Sequence, residues 1–316
     1  MNALPAASES SSESLRNALR ALETIILGKP AQVRLCLACL LARGHLLIED
    51  VPGVGKTTLA HALAHVLGLA WQRVQFTSDL LPADIIGVSI FDRASQQFHF
   101  RKGPIFTQLL LADEVNRASP RTQSALLEAM EERQVSADGM TYRLPDPFFV
   151  VATQNPHEQL GTFSLPESQL DRFLMRVTLG YPDASHEREL LKSGERRDML
   201  PHVPAALDPA AVVRIQHEVH SIHISDAVLD YAQALITRTR ERADLKLGLS
   251  PRAGQGLIRA AQAWSYLSGR LALLPEDLQA VLPAVVAHRL ERREPTGSGA
   301  SQEIATELIR SVPVPT

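Results

Sequence analysis

Residues 48–58 read Ile48-Glu49-Asp50-Val51-Pro52-Gly53-Val54-Gly55-Lys56-Thr57-Thr58, and this stretch decides the fold. It follows a short apolar run that predicts a strand, and it opens a helical pattern that extends to Leu67. Glycines between a strand and a helix let backbone N–H groups face an anion, while the lysine reaches the outer phosphates and the next hydroxyl binds Mg²⁺. The helix would add the positive end of its dipole. We therefore expect a phosphate-binding loop, with Thr57 as a metal ligand and with contacts from Pro52, Gly53, Val54, Gly55, Lys56, Thr57 and Thr58.

Asp50 stands where the general pattern G-x-x-x-x-G-K-[ST] has its first glycine. Taken alone, the stretch also fits a Gly-Pro turn that joins a strand to a helix and contains Lys-Thr by chance. A second motif separates the two interpretations, because a nucleotide-hydrolysing site also needs carboxylates at the end of another buried strand.

The run Leu109-Leu110-Leu111-Ala112-Asp113-Glu114 supplies those carboxylates. Asp113 would hold Mg²⁺ through its water shell, and Glu114 would polarise the attacking water as a general base. Acidic residues at the end of a strand are common in α/β folds. Their occurrence together with the lysine-containing phosphate-binding loop favours the catalytic interpretation. The chain has no Asn-Lys-x-Asp run of the kind found in guanine sites, so ATP is the expected nucleotide.

The composition is that of a globular protein. The 316 residues are 45% hydrophobic, 21% charged and 5% aromatic, which favours helices packed on helices or on a sheet over an all-β fold. A net charge of -3 disfavours a protein built mainly to hold nucleic acid. No apolar run reaches the ~20 residues needed to cross a bilayer, and the N-terminus lacks a basic and then apolar signal. We expect a cytoplasmic protein without membrane insertion.

The pattern of strands and helices divides the chain in two. Short apolar strands alternate with helical stretches over residues 14–182, as is typical of a parallel sheet covered on both faces. Residues 185–290 show helical patterns alone, which predicts a second, all-α domain. Residues 1–13 are predicted to be disordered, and residues 291–316 to be a flexible tail apart from a short helix at Ser301 to Arg310.

Three further motifs carry a family resemblance. They are Asp113-Glu114-Val115-Asn116-Arg117-Ala118, the run from Thr122 to Glu132, and Ala152-Thr153-Gln154-Asn155-Pro156. Together they resemble the AAA+ ATPases of the MoxR family over about residues 15 to 290. The first glycine of the phosphate loop is often absent in that family, so Asp50 no longer counts against the site. The resemblance implies an α/β AAA+ core, a small helical lid domain, and ATP with Mg²⁺ as cofactors.

The resemblance also implies roles for three more residues. Asn155, after the predicted strand Phe149 to Thr153, resembles the sensor 1 residue that hydrogen-bonds the attacking water or the γ-phosphate. Arg172 resembles an arginine finger inserted by a neighbouring subunit, a role that suits a permanently charged planar fork. Arg252, in the first turn of a predicted helix, resembles the sensor 2 residue of the lid. The sequence leaves open whether Arg252 acts on its own subunit's ATP, and solvated surface arginines are the alternative for both positions.

Two hairpins are expected as inserts. Residues 87–106 hold two short β-like runs, and residues 135–144 centre on Asp138-Gly139, a strong signal for a two-residue turn. They resemble the helix 2 insert and the pre-sensor 1 hairpin of this AAA+ clade, which face the central pore and touch the substrate. Ordinary edge hairpins are the alternative.

The resemblance implies an ATPase that remodels, activates or assembles a protein client and works as a ring, a hexamer, because an arginine finger needs a neighbour. A von Willebrand factor A domain protein is the client that the family suggests. Two alternatives stay open. One is a nucleic-acid motor or loader, since the clade includes DNA-translocating rings, and the other is a nucleotide-gated scaffold that hydrolyses little ATP.

Overall fold

The computed structural model describes residues 9–155, 161–194, 196–294 and 300–315. Its elements in chain order are α1 Glu9–Ile25, α2 Pro30–Leu41, β1 Leu46–Glu49, α3 Lys56–Val66, β2 Trp71–Gln75, α4 Pro82–Ile86, β3 Gly87–Asp92, β4 Gln97–Lys102, β5 Leu109–Asp113, α5 Pro120–Glu132, β6 Gln134–Ala137, β7 Met140–Arg143, β8 Phe149–Gln154, α6 Glu167–Leu170, β9 Met175–Val177, α7 Ala184–Ser193, α8 Pro209–His220, α9 Asp226–Glu241, α10 Pro251–Leu267, α11 Pro275–Val286 and α12 Ala300–Ser311. Short 3₁₀ turns at Val115–Arg117 and Arg196–His202 complete the described part.

A parallel sheet forms the centre of the first domain, with the strand order β2-β5-β8-β1-β9. The strands β1, β5 and β8 are short continuous apolar runs and are buried on both faces, as parallel strands covered by helices must be. Because all five strands run in one direction, their carboxyl ends meet at one edge of the sheet. Glu49 is in register with Gln154, and Ala112 with Ala152.

Alternate side chains of the sheet enter two apolar cores. Leu46 and Ile48 pack with helices α1 to α3, whereas Leu47 packs on the other face with residues of α5 such as Leu126 and Met130. This alternation follows from the period of two in a strand. The first core continues into the helical domain, so the two domains share one apolar cluster.

Both expected hairpins are present at the predicted positions. Strand β3 pairs with β4, and β6 pairs with β7, each in antiparallel register. Asp138 and Gly139 have φ angles of 51° and 76°, and two consecutive positive values are what a tight two-residue hairpin turn requires.

Helices α8 to α12 form the second domain, and their starts follow local capping rules. Asp208, Ser225 and Ser250 each accept a hydrogen bond from a backbone N–H in the first turn of the helix that follows. Prolines occupy the first turns of α8, α10 and α11, where the missing N–H costs little. The expected fold class, an α/β core followed by an all-α domain, is confirmed. Within the described ranges, no helix combines the length and the apolar character needed to cross a membrane.

Three details correct the expectations from sequence. Helix α1 begins at Glu9, inside the segment 1–13 predicted to be disordered, and residues 1–8 lie outside the described part. Serine and glutamate suit the start of a helix whose later residues are buried, so composition alone misplaced the boundary. Strand β9 has only three residues with Arg176 in its centre and was not predicted.

The third correction concerns the predicted flexible tail, residues 291–316. Helix α12 packs on the helical domain, with Ile304, Ala305 and Leu308 fully buried. Glu307 forms ion pairs with Arg242 and Arg292 at 2.7 and 2.8 Å. The helix was anticipated in the sequence, but its apolar stripe is too short to reveal that it completes a core.

Candidate active site

The phosphate-binding stretch lies at the carboxyl end of β1 and leads into α3. Gly53 and Gly55 have φ angles of 85° and 92°, in the left-handed region that glycine adopts without strain. A β-carbon at either position would meet no atom within 4 Å, so the requirement for glycine is conformational. Helix α3 starts immediately after Gly55, and its first N–H groups and dipole favour an anion at this place.

The ammonium group of Lys56 lies beneath the loop. It donates hydrogen bonds to the carbonyl oxygens of Asp50 at 2.6 Å and of Val51 at 3.0 Å. Partial burial lowers the pKa of Lys56, and the negative charges of Asp50, Asp113 and Glu114 oppose that shift. The lysine is therefore held at the centre of the loop and close to the two acidic residues predicted to work with it.

Asp50 connects the phosphate-binding loop to the residues that follow β9, the edge strand of the sheet. Its Oδ2 accepts hydrogen bonds from the backbone N–H groups of Leu179 and Gly180, both at 2.7 Å, and its Oδ1 accepts one from Val51 at 2.8 Å. The residue is only 6% exposed. A glycine at this position would leave the buried N–H of Leu179 and the partly buried N–H groups of Gly180 and Val51 without their acceptor, which explains the departure from the general pattern.

Asp113 and Glu114 are held by a residue that the sequence analysis did not select. The hydroxyl of Thr153, fully buried in β8, donates to Asp113 Oδ1 at 2.6 Å and accepts from the backbone N–H of Glu114 at 2.8 Å. Glu114 itself has a φ angle of 55°, which turns the chain sharply after β5. One hydroxyl thus fixes both acidic residues relative to the next strand.

Arg73 in β2 binds the other oxygen of Asp113. Its Nε and Nη2 donate to Asp113 Oδ2 at 3.1 and 2.7 Å. Oδ2 therefore accepts two hydrogen bonds, while Oδ1 accepts one and keeps a lone pair directed elsewhere. The two predicted ligands, the Thr57 hydroxyl in the first turn of α3 and the Asp113 carboxylate, both offer oxygen, which is the chemistry that suits Mg²⁺ bound mainly by phosphates and water.

Glu114 and Asn155 lie at the same edge of the sheet. The carboxylate of Glu114 forms an ion pair with Arg117 at 3.1 Å, and its side chain is 31% exposed. Asn155 directly follows β8, two residues after Thr153, and is 7% exposed. The loop residues, the two acidic residues and the predicted sensor 1 residue are therefore gathered at the carboxyl ends of β1, β5 and β8.

Arg172 and Arg252 lie elsewhere and contact one carboxylate. Arg172 Nε is 3.0 Å from Glu131 Oε2, and Arg252 Nη2 is 2.6 Å from Glu131 Oε1. The three side chains line a cavity of about 160 Å³ that also reaches His45 and Leu174. The pairing joins Arg172 of the core to Arg252 in the first turn of α10.

This cavity is at the opposite end of the sheet from the phosphate loop. His45 and Leu174 immediately precede β1 and β9, whereas the loop follows β1. A four-residue strand at about 3.3 Å per residue separates the two ends by roughly 10 Å before the loops are counted. The structure does not bring the predicted finger and sensor 2 to the lysine of their own chain.

A second carboxylate beside the cavity joins the two domains. Asp171 Oδ1 accepts from Arg289 Nε at 2.7 Å, and its Oδ2 accepts from the Ser250 hydroxyl at 3.2 Å. Arg289, whose side chain is 7% exposed, also donates to the carbonyl oxygens of Phe173 and Leu174 at 2.6 and 3.1 Å. Burial lowers the pKa of Arg289, and the hydrogen bond to Asp171 opposes this.

Comparison with known proteins identifies the family. Residues 45–175 match the ATPase family associated with various cellular activities (AAA), and residues 237–308 match an AAA lid domain. Chaperone MoxR1 of Mycobacterium tuberculosis is 38% identical over 93% of this chain and 79% of that protein. Protein MoxR of Paracoccus denitrificans is 34% identical over 95% of this chain and 96% of that protein. The chain belongs to the MoxR family of AAA+ ATPases.

Two further relatives cover almost the whole chain. The uncharacterized protein YeaC of Bacillus subtilis is 43% identical over 95% of both sequences. A crystal structure from Cytophaga hutchinsonii has a TM-score of 0.88 and 33% identity over 98% of both chains. The resemblance drawn from the motifs is thus confirmed, and membership of the MoxR family implies nucleotide binding. The lid match includes most of α12, in agreement with the packing of that helix.

Four residues that the sequence analysis did not select shape the two sites. Thr153 and Arg73 hold Asp113, Glu131 holds Arg172 and Arg252, and Arg289 binds Asp171. A signal existed for Thr153, since a threonine near the end of an apolar strand and two residues before Asn155 lies at the same edge of the sheet. No local signal marks Arg73, Glu131 or Arg289, because their partners come from distant segments of the chain.

Replacing Asp50 by glycine would restore the general loop pattern, yet we expect it to harm the protein. Loss of a buried acceptor for three N–H groups should lower the free energy of unfolding by about 2–4 kcal/mol and weaken ATP binding. Asp50→Asn keeps one acceptor oxygen and should lose less. Urea denaturation and nucleotide titration of both variants test this, and a glycine variant as stable as the wild type would contradict it.

Thr153→Val removes the hydroxyl with little change in side-chain volume. The unpaired N–H of Glu114 should cost about 1–3 kcal/mol of stability, and the displaced carboxylates should lower kcat about 10- to 100-fold. Thr153→Ser keeps the hydroxyl and serves as the matched control. Steady-state phosphate release measures kcat, and an unchanged rate in Thr153→Val would show that the hydroxyl does not position Glu114.

Proposed function

We propose that this chain hydrolyses Mg-ATP within a ring of identical subunits, a hexamer, and uses the reaction to remodel, activate or assemble a protein client. The observation that carries the proposal is the division of the catalytic groups within one chain. Lys56, Asp113 and Glu114 lie at one end of the sheet, and Arg172 and Arg252 lie at the other. Each chain therefore holds two different halves of a site that two neighbouring subunits complete.

The first half of the proposed site, at the carboxyl ends of the strands, supports binding and hydrolysis of ATP. The loop Pro52 to Thr58 would cradle the phosphates, with Lys56 on the outer ones, and Thr57 and Asp113 would hold Mg²⁺. When bound, Mg²⁺ would neutralise charge that develops on the phosphates. Glu114, positioned through Thr153, polarises the attacking water, and Asn155 orients that water or the γ-phosphate.

The second half supports action on a neighbour's nucleotide. Two guanidinium groups in one cavity suit the terminal phosphate, whose negative charge they would stabilise in the transition state. Their distance from their own loop follows from the length of β1, so a second copy must supply the phosphate. Arg252 accordingly acts in trans together with Arg172, which is one of the two options that the sequence left open.

The hairpin surface supports a protein client. Strands β3 and β4 expose Val88, Ile90, Phe91 and Phe98, and Phe98 is 72% exposed. Phe100 of β4 stacks on Tyr142 of β7 with ring centroids 4.2 Å apart, so the two hairpins form one continuous surface. Exposed apolar groups of this kind favour contact with a protein over a phosphate backbone.

The relatives add support for this role. One relative is named a chaperone, in agreement with a protein client. A von Willebrand factor A domain protein is the client that the family resemblance implies. The nucleic-acid alternative would be favoured instead if double- or single-stranded DNA bound with a steep salt dependence and stimulated the ATPase. The absence of Glu114-dependent phosphate release, even with the client present, would favour the scaffold alternative.

Mixing two inactive variants tests the divided site. Lys56→Ala and Arg172→Ala should each be inactive alone, the second by about 10³-fold, because one lacks the loop lysine and the other the finger. In randomly mixed rings roughly a quarter of the subunit contacts join an intact loop to an intact finger, so activity should return. Phosphate release measured against the mixing ratio checks this. An Arg172→Ala protein that is fully active at every concentration would contradict action in trans.

Changes in the hairpin test the client surface. Phe91→Ser and Phe98→Ser together should reduce client capture by a Glu114→Gln protein that binds ATP without hydrolysing it, while basal phosphate release in the wild-type background stays unchanged. Leu191→Ser in α7 is the matched control, because Leu191 is 83% exposed and lies outside the hairpins. Equal capture by the hairpin variant and the control would rule out the hairpins as the client surface.

A further inference from the structure

Glu131 links the two arginines that the proposed function assigns to the neighbour's phosphate. It lies in the last turn of α5 and uses one carboxylate oxygen for each partner, Oε2 for Arg172 at 3.0 Å and Oε1 for Arg252 at 2.6 Å. Arg172 belongs to the core and Arg252 to the lid. One carboxylate therefore sets the distance between two groups that different domains carry.

The charges around the cavity explain why this carboxylate is needed. The cavity is lined by six arginines and two carboxylates, namely Arg43, Arg133, Arg172, Arg252, Arg259, Arg289, Glu131 and Asp171. Asp171 is engaged by Arg289 and Ser250. Glu131 is consequently the lining carboxylate that remains to offset the mutual repulsion of Arg172 and Arg252.

The geometry leaves both arginines able to bind a phosphate. Arg172 uses its Nε toward Glu131, so its two terminal nitrogens are not engaged by that contact. Arg252 uses Nη2, so its Nε and Nη1 are not engaged by it either. The pair together with Glu131 keeps a net positive charge, and the carboxylate directs the guanidinium groups without consuming the donors that a phosphate needs.

We infer that Glu131 is a positioning residue that holds Arg172 and Arg252 as one pair of donors for the terminal phosphate of the neighbouring subunit's ATP. This inference rests on the proposed function. Glu131 then makes no contact with the nucleotide. The rate of ATP hydrolysis in one subunit depends on the Glu131 carboxylate of the next subunit.

Glu131→Gln keeps the size of the side chain and removes its charge. We expect kcat to fall about 10- to 100-fold, because misplacement of catalytic groups by about 1 Å has effects of that size. The KM for ATP and the affinity of each subunit's own loop should change less than about twofold. Glu132→Gln is the matched control, since Glu132 is the next residue, exposed, and equal in chemistry. A kcat above the wild-type value would overturn the inference, because Glu131 would then restrain the arginines.

Mixed rings separate positioning from a general structural role. Glu131→Gln mixed with Lys56→Ala should regain activity, because their defects lie on opposite sides of the subunit contact. Glu131→Gln mixed with Arg172→Ala should show no more activity than the two proteins measured separately, because both are defective in the same half-site. Recovery in the second mixture would overturn the inference.

A triple variant covers the case in which Glu131→Gln alone is unstable. In an Arg172→Ala, Arg252→Ala background, adding Glu131→Gln should change the residual rate less than about twofold, because nothing remains to be positioned. A further large loss of rate, accompanied by a lower Tm, would show a structural role instead. Full activity of Arg172→Ala would refute the proposed function itself, whereas full activity of Glu131→Gln beside an inactive Arg172→Ala would refute this inference alone.

Discussion

The parallel alignment of β5, β8 and β1 determines where Asp113, Glu114 and Thr153 lie relative to the phosphate loop. Because Ala112 is in register with Ala152, the hydroxyl of Thr153 falls between Asp113 and Glu114 and binds both. The loop itself begins where β1 ends, one strand away. A shift of one residue in this register would turn Thr153 to the other face of the sheet and separate the two acidic residues from their shared partner.

The same alignment keeps the arginines away from the loop. Arg172 precedes β9, so it lies at the amino end of a strand parallel to β1, while the loop lies at the carboxyl end. No rotation of a side chain spans that distance. Under the proposed function, a single folded chain therefore lacks half of the groups that hydrolysis requires, and a neighbouring copy would supply them.

Much of the first half-site follows from local sequence, and the second half-site does not. The phosphate-binding loop after β1 and the acidic pair at the end of β5 are each contiguous motifs, in which the residues of interest have fixed spacing. Local sequence is therefore sufficient to predict roles for Lys56, Thr57, Asp113 and Glu114. Helices such as Pro120–Glu132 and Pro251–Leu267 have periodic patterns, and several begin at capping residues or prolines that mark their limits. Glu131 could not be chosen among the acidic residues of α5, because its partners come from residues 172 and 252, and sequence spacing does not encode such distances. The packing of α12 was missed for a related reason, since three buried residues reveal a core only when the surface they cover is known.

Glu131 also lies close in sequence to the second hairpin, which the proposed function makes part of the client surface. Helix α5 ends at Glu132, and strand β6 of the second hairpin begins at Gln134. Between them Arg133 has a φ angle of 52° and donates to the carbonyl oxygen of Arg43 at 2.8 Å, which fixes the bend against the start of β1. A phosphate that draws Arg172 and Arg252 toward itself therefore acts on a carboxylate only three residues from the hairpin. The stacking of Phe100 on Tyr142 carries that connection to the first hairpin, where the apolar side chains are exposed. Under the proposed function, the end of α5 would therefore connect the two arginines to the hairpins through a step of only three residues along the chain, from Glu131 to Gln134.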